Sequence, residues 1–257
     1  MLILLPPSEG KFQPSRGKPL DLEALSHPAL APTRRRILDS LVALCRADAE
    51  RARHVLGLPP GLAGEVDRDA SLPDAPTATA SRIYTGVLYD ALGIGTLTPS
   101  AKSRAARWLL TTSALFGLVR PGDRIPAYRL AGDVTLPGLG TVGSLWRQPL
   151  AEVLEAEANS RLVVDLRSGM YAGFWRPSKA AGRGVVGLRV LQEADGRRTV
   201  VSHFNKATKG RIVRELLESG AKPRSPAGLA DHLSGLGWQV EPTPAKPNAY
   251  DVVVREL

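Results

Sequence analysis

Residues 1–11 read MLILLPPSEGK. Leu2–Leu5 is an unbroken apolar run of strand length, stopped by Pro6 and Pro7, which cannot donate to a ladder. Such a run reads as a buried strand. The far end of the chain, AYDVVVREL (249–257), reads as a second one. Both strands are therefore expected in the core of a single domain spanning residues 1–257.

Between them the pattern alternates without strict βαβ order. Residues 32–56 carry helical periodicity, with Ile37, Leu38, Leu41, Leu44 and Cys45 on one face. GLPPGLAGEV interrupts it, and a polar, Pro-rich loop is expected over 67–78. Residues 81–92 read as a helix despite Gly86. SAKSRAARWLLTTSALFGLV combines a helix with the start of a strand or turn, and AYRLAGDVTLPGLGTVG predicts two short strands or a hairpin. SLWRQPLAEVLEAEA predicts a helix with Ser144 as N-cap and Pro149 in its early turns. RLVVDLRS and GVVGLRVLQE read as strands, the second pairing with GRRTVVSHF across ADG. ATKGRIVRELLESG and PAGLADHLSGLGW read as helices, the first ending at Gly220. This mixture argues for a mixed α/β (α+β) fold.

The 257 residues suffice for one large or two small domains with a sizeable core. Apolar residues make up 43% and charged residues 23%, as in ordinary globular proteins. The formal charge is +9, and 26 of the 34 cationic side chains are Arg. That balance favours nucleic acid, phosphates or anionic surfaces, and the planar Arg fork suits anion recognition. A genome rich in Arg codons produces the same bias. Cys45 is the single cysteine, so neither an internal disulfide nor a Cys-rich metal site is expected. The first residues lack the basic region of a signal peptide. No stretch approaches the roughly 20 apolar residues of a membrane span. A cytoplasmic protein without membrane contact, cofactor or metal is expected.

Several motifs fail on context. GLGTVG (138–143) matches G-x-G-x-x-G, but the strand before it is short, polar and broken by Pro137, unlike the buried parallel strand of a dinucleotide fold. No Walker A spacing occurs. The histidines His27, His54, His203 and His232 show no paired metal spacing. Ser168, His203 and Asp165 could compose a triad, yet no nucleophile elbow supports it. VLGLPPGLAGE (55–65) resembles a helix-hairpin-helix, whose glycines let backbone amides approach phosphates. A plain helix–loop–helix corner fits equally.

Two basic stretches carry most of the signal. LFGLVRPGDRIPAYRL (115–130) interleaves Arg120, Arg124 and Arg129 with Pro121, Pro126 and Gly122. Prolines fix a rigid, non-helical path, and cations held rigidly lose less freedom on binding an anion. Arginines bridging carboxylates within the fold are the alternative. SHFNKATKGRIVREL (202–216) places Lys206, Lys209 and Arg211 where a strand is expected to turn into a helix, so that amides and cations face one anion.

These segments, with YTG (84–86) and LRSGMY (166–171), fall in an order that resembles the YaaA (DUF328, UPF0246) family over essentially the whole chain. The resemblance implies a compact mixed α/β unit with a basic cleft, a helix-hairpin-helix-like element and DNA binding. It also implies a role in resisting hydrogen peroxide, limiting free iron and the oxidative DNA damage that iron causes. The chain departs from the family's pattern in places. PPSEGK stands for SPAK, bringing Glu9 beside Lys11. SGMYAG stands for SDEYFK, keeping Ser168 and Tyr171. SHFNKATKG stands for SFYAKKARG, keeping Lys206 and Gly210.

Two functions follow as expectations. In the first, Lys11, Arg120, Arg124, Arg129, Lys206, Lys209 and Arg211 converge on one surface and hold double-stranded DNA with little sequence specificity. In the second, the same cleft is the site of an enzyme for a small anionic or nucleobase-like substrate, with Glu9, Ser168, Tyr171 and His203 as reactive groups.

Overall fold

The computed structural model describes residues 1–194, 196–200 and 202–255, and of residues 202–204 only the backbone. The chain opens with strand β1 (Leu2–Leu5), then helices α1 (Ala31–Ala47), α2 (Ala49–Val55) and α3 (Gly64–Ala70). A short strand β2 (Ala78–Thr79) leads into α4 (Ala80–Ile83), α5 (Val87–Leu92) and α6 (Pro99–Trp108). Strands β3 (Leu109–Ser113), β4 (Gly117–Val119), β5 (Arg124–Ile125), β6 (Thr135–Leu136) and β7 (Gly140–Thr141) precede the long helix α7 (Val142–Ala158). Then come β8 (Val163–Asp165), α8 (Gly169–Ala172), α9 (Lys179–Gly182), β9 (Val185–Ala194) and β10 (Arg197–Thr199). Helices α10 (Ser202–Ser219) and α11 (Pro226–Gly235) and strands β11 (Gln239–Pro242) and β12 (Ala249–Val254) complete it.

One sheet organises these elements, in the order β11-β12-β9-β8-β1-β3-β4, with β10 paired to β9. The five inner strands β12, β9, β8, β1 and β3 run parallel. The outer strands β11, β4 and β10 pair antiparallel. This is the mixed α/β fold that the sequence predicts, in one compact domain.

The centre of the sheet explains the apolar N-terminal run. Parallel strands are covered on both faces, so every position along them is apolar. Leu2 and Leu4 pack into one core with Ile37 and Leu41 of α1 and Trp146 and Leu150 of α7. Ile3 and Leu5 point the other way, into a second core with Leu88 and Leu92 of α5 and Ile212, Val213 and Leu216 of α10. All four residues of β1 are at most 1% exposed, and each such side chain contributes about 1.5–3 kcal/mol by burial. Val252 of β12 is likewise fully buried in the second core. Arg34 of α1, itself fully buried, donates to the carbonyls of Phe116, Leu118 and Ser26. It thereby pins the β3–β4 hairpin to the first helix layer.

Local expectations fail where a single residue overrides periodicity. The helix expected over 32–56 breaks at Asp48, whose extended backbone and side-chain bond to the Arg51 N–H begin a new helix. The helix expected over 81–92 breaks at Gly86, whose φ of 92° is outside the range of a right-handed helix. α3 extends into the loop expected over 67–78. Thr141, not Ser144, holds the N-cap position of α7, and Pro149 lies inside the helix. GLGTVG belongs to the β6–β7 hairpin and the start of α7, which removes any dinucleotide reading. The strand expected over 196–204 is only Arg197–Thr199, and the backbone from Ser202 onward is already helical. Asp195, at the expected hairpin turn, lies outside the described residues.

Helix α10 rests directly on α5. A Cβ added at Gly210 would lie 2.3 Å from the Leu88 carbonyl oxygen and 2.8 Å from the Ala91 Cβ. The Gly210→Ala substitution should therefore force the two helices apart. Overpacking of this kind costs about 1–3 kcal/mol, which for a chain of this size lowers Tm by roughly 3–10 °C. A thermal melt by circular dichroism checks this, and an unchanged Tm would show that the contact is not tight.

Candidate functional site

Strands β3 and β4 lie to one side of β1, and β8, β9 and β12 to the other, so the sheet grows outward from β1 in both directions. Open parallel sheets form a crevice at the carboxyl ends of strands beside such a point. Here the segments leaving β1 and β8 border a crevice of about 510 Å³. Pro6–Lys11 supplies one wall and Ser168, Met170 and Tyr171 another. The start of α5 with the segment before it (residues 85–89), Arg129–Ala131 and Lys206 of α10 close it.

Three sets of contacts hold the walls in place. The Tyr89 hydroxyl donates to the Pro6 carbonyl at 2.7 Å, and the Thr85 N–H donates to Ser8 Oγ. Lys11 forms a β-bridge with Tyr84. On the opposite wall, the Arg167 guanidinium forks onto Asp165, with contacts of 2.9 and 2.7 Å, and also donates to the carbonyls of Tyr171 and Trp175. That fork fixes the turn carrying Ser168 and Tyr171. The third wall is tied by the Arg129 N–H, which donates to Asp69 Oδ1 at 2.9 Å.

Beneath the crevice lies a buried polar layer. The hydroxyls of Tyr84 and Tyr128 are 3.1 Å apart, and Tyr128 is 2.8 Å from Ser113 Oγ, which accepts the Phe116 N–H. Burial pushes both phenols well above their ordinary pKa, so both stay protonated. The Lys11 amine sits 4.3 Å from the Tyr128 ring centroid and 5.9 Å from that of Tyr84. It donates to the carbonyls of Ser8 (2.8 Å) and Glu9 (3.3 Å). Lys11 as a residue is partly exposed, but its amine end is enclosed. Burial and then the nearby Arg129 charge bring its pKa down to about 8, against a smaller opposing pull from Asp69, Glu65 and Glu9. Asp69 is fully buried, and burial raises its pKa to about 7 despite the bond from Arg129.

Of the residues singled out from the sequence, Glu9, Lys11, Arg129, Ser168, Tyr171 and Lys206 meet at this crevice. The other four cations do not line it. Arg120 turns to Glu157 of α7 at 2.6 Å, the internal carboxylate bridge that was its alternative reading. Arg124 donates to the Thr77 carbonyl where β2 meets β5. Lys209 reaches the Leu166 carbonyl at 3.4 Å, and burial lowers its pKa. Arg211 is exposed on α10. Lys206, Lys209 and Arg211 lie in the body of α10, not at a strand-to-helix turn, because the helix starts four residues before Lys206. The His203 side chain lies outside the described residues.

The sequence reading missed Asp69 and Tyr89, and weighed Tyr84, Tyr128 and Arg167 only as letters of YTG, YRL and LRSGMY. The two tyrosines sit in stretches already set apart, beside the cations chosen. Asp69 sits in EVDRDA among other carboxylates with no local mark.

Among the described residues no group of His, Cys, Asp and Glu could hold a metal ion, and no helix is long and apolar enough to cross a membrane. The model of the family described as peroxide stress protein YaaA matches residues 1–243. A UPF0246 protein of Streptomyces coelicolor is 51% identical over 261 residues, covering all of both chains. One from Corynebacterium efficiens is 41% identical over 259 residues, 99% of this chain and all of its own. One from Corynebacterium glutamicum is 39% identical over 258 residues with the same coverage.

The buried pair gives stability a two-limbed pH profile. Asp69 has a folded pKa of about 7 against an ordinary 3.8. Between these values the folded state keeps a proton that the unfolded chain releases, so stability falls as pH rises from about 4 to 7. Lys11, at about 8 against 10.5, has the opposite sign. The unfolded chain binds the extra proton between those values, so stability recovers as pH rises from about 8 to 10.5. Asp69→Asn keeps an acceptor for the Arg129 N–H and should flatten the lower limb, while loss of its pull on Lys11 should make the upper limb begin at lower pH. Urea midpoints across this pH range check it; an unchanged lower limb would clear Asp69 of the effect.

Proposed function

Because the chain belongs to the peroxide stress protein YaaA family, we propose that it is a cytoplasmic DNA-binding protein of the peroxide stress response that limits peroxide- and iron-dependent damage to DNA. The observation carrying this reading is that Lys11, Arg129 and Lys206, remote in sequence, share one crevice in a chain of net charge +9. Arg129 and Lys206 at its rim offer phosphate contacts, which give affinity without reading bases. Residues 55–65 offer a second contact as a helix-hairpin-helix-like corner. A Cβ added at Gly57, Gly61 or Gly64 would meet nothing within 4 Å, so this backbone lies open to a phosphate.

A second reading makes the crevice the site of an enzyme for a small anionic or nucleobase-like substrate. It is favoured by the enclosed Lys11 amine and by Glu9, Ser168 and Tyr171 in the same walls. Competition separates the two. A mononucleotide should displace a small-substrate analogue at micromolar to millimolar levels, but should leave a duplex held by several phosphates largely in place.

Titration of a short duplex from low to physiological salt should give a steep negative slope of log affinity against log salt. Lys206→Ala should weaken binding similarly for unrelated sequences and lower that slope by about one. Arg120→Ala, which removes the bridge to Glu157, should lower Tm with little effect on DNA. A salt slope near zero in the wild-type protein would end the DNA reading.

A further inference from the structure

We propose that Lys11 is a nucleophilic amine that forms a reversible imine with the carbonyl carbon of a small anionic aldehyde or 2-oxo acid seated in the crevice. This activity goes beyond DNA binding and does not rest on it.

The argument starts from where the amine is held. An ordinary surface lysine points its ammonium into water. Lys11 instead holds its amine at the floor of the crevice, against the faces of Tyr128 and Tyr84. The rings and the two carbonyl acceptors favour the ammonium form. Enclosure and the Arg129 charge oppose it and win, bringing the pKa to about 8. At neutral pH that leaves on the order of a hundredfold more free amine than an ordinary lysine has, and a desolvated lysine amine is the usual imine-forming nucleophile.

The rest of the crevice suits a substrate with a negative end and a carbonyl. Arg129 and Lys206 border it. Arg129's existing partner, Glu9, is 3.4 Å away on a side chain that is 88% exposed, so a ligand anion can replace it. Asp69 is fully buried, Oδ1 accepts from Arg129, and Oδ2 has no partner among the described residues. Its charge is felt by the Lys11 amine, and its affinity for a proton lies close to that of the amine. Tyr171, buried and held protonated, lies in the wall and can donate to the carbonyl oxygen.

The step balances without a co-reactant. The Nζ lone pair attacks the carbonyl carbon, the C–N bond forms, and the C=O pair moves to oxygen. Nitrogen gives up a proton and oxygen gains one. The carbinolamine then loses its hydroxyl with a second proton as water, and the nitrogen lone pair closes the C=N bond. Amine and carbonyl become imine and water, with no change of oxidation state.

Trapping tests it on the full chain. The protein is incubated with glyoxylate, or with propanal as the neutral control, in sodium cyanoborohydride, and the reduced adducts are mapped by peptide mass spectrometry. Lys11 should be labelled well ahead of the exposed Lys18 and Lys102, at a rate rising with pH through about 8. Lys11→Arg should abolish the fast labelling. Arg129→Ala should lower the ratio of glyoxylate to propanal rates at Lys11 by roughly tenfold, the usual weight of one charge-assisted contact; the ratio cancels any change in the amine's own pKa. Labelling of Lys11 no faster than of Lys18 and Lys102, or an unchanged ratio, would overturn the proposal. Should Lys11→Arg fail to fold, the wild-type map decides alone.

Discussion

The structure depends on one constraint: β1 is buried on both faces. Its four side chains alternate between two separate cores, Leu2 and Leu4 toward α1 and α7, Ile3 and Leu5 toward α5 and α10. A parallel strand between two helix layers has no face to give to water. Everything that follows β1 therefore leaves from a fixed point. Pro6 and Pro7 stop the ladder, and the next four residues reach Lys11 along the rim of the sheet. The position of the amine is inherited from a strand buried on both faces.

A second feature is how the crevice walls are held. Three of its walls are short turns tied by a polar group, and helices α5 and α10 close the remainder. Tyr89 holds Pro6, Arg167 holds the turn through Tyr171 and Trp175, and Asp69 holds Arg129. Buried polar groups are costly unless paired, so these ties also fix the geometry of what they touch. The same cost explains the unusual protonation of Lys11 and Asp69. Each is enclosed by the fold, where a charge loses its hydration. The cations divide along the same line. Arg120 and Arg124 are spent on internal acceptors, whereas Lys206 stays exposed at the rim of the crevice.

The amino-acid sequence alone determined the mixed α/β class, the two-sided burial of residues 2–5, the strand around Val252 and the hairpin at GLGTVG. Each follows from local apolar period or turn chemistry, which acts over a few residues. It also singled out Arg129 and Lys206, because cations stand out beside Gly and Pro, and Glu9, Lys11, Ser168 and Tyr171 through the family resemblance of the segments that hold them. Tertiary structure alone decided which of the chosen cations share a site. Arg120 and Arg129 are nine residues apart on one rigid stretch, yet one faces Glu157 and the other the crevice, since partners across the fold set where a long side chain points. It alone also made Asp69 distinctive: nothing separates that carboxylate from its neighbours Glu65 and Asp67 until folding withdraws it from water. A pKa is a property of surroundings, and the surroundings of Asp69 and Lys11 come from segments more than fifty residues apart in the chain.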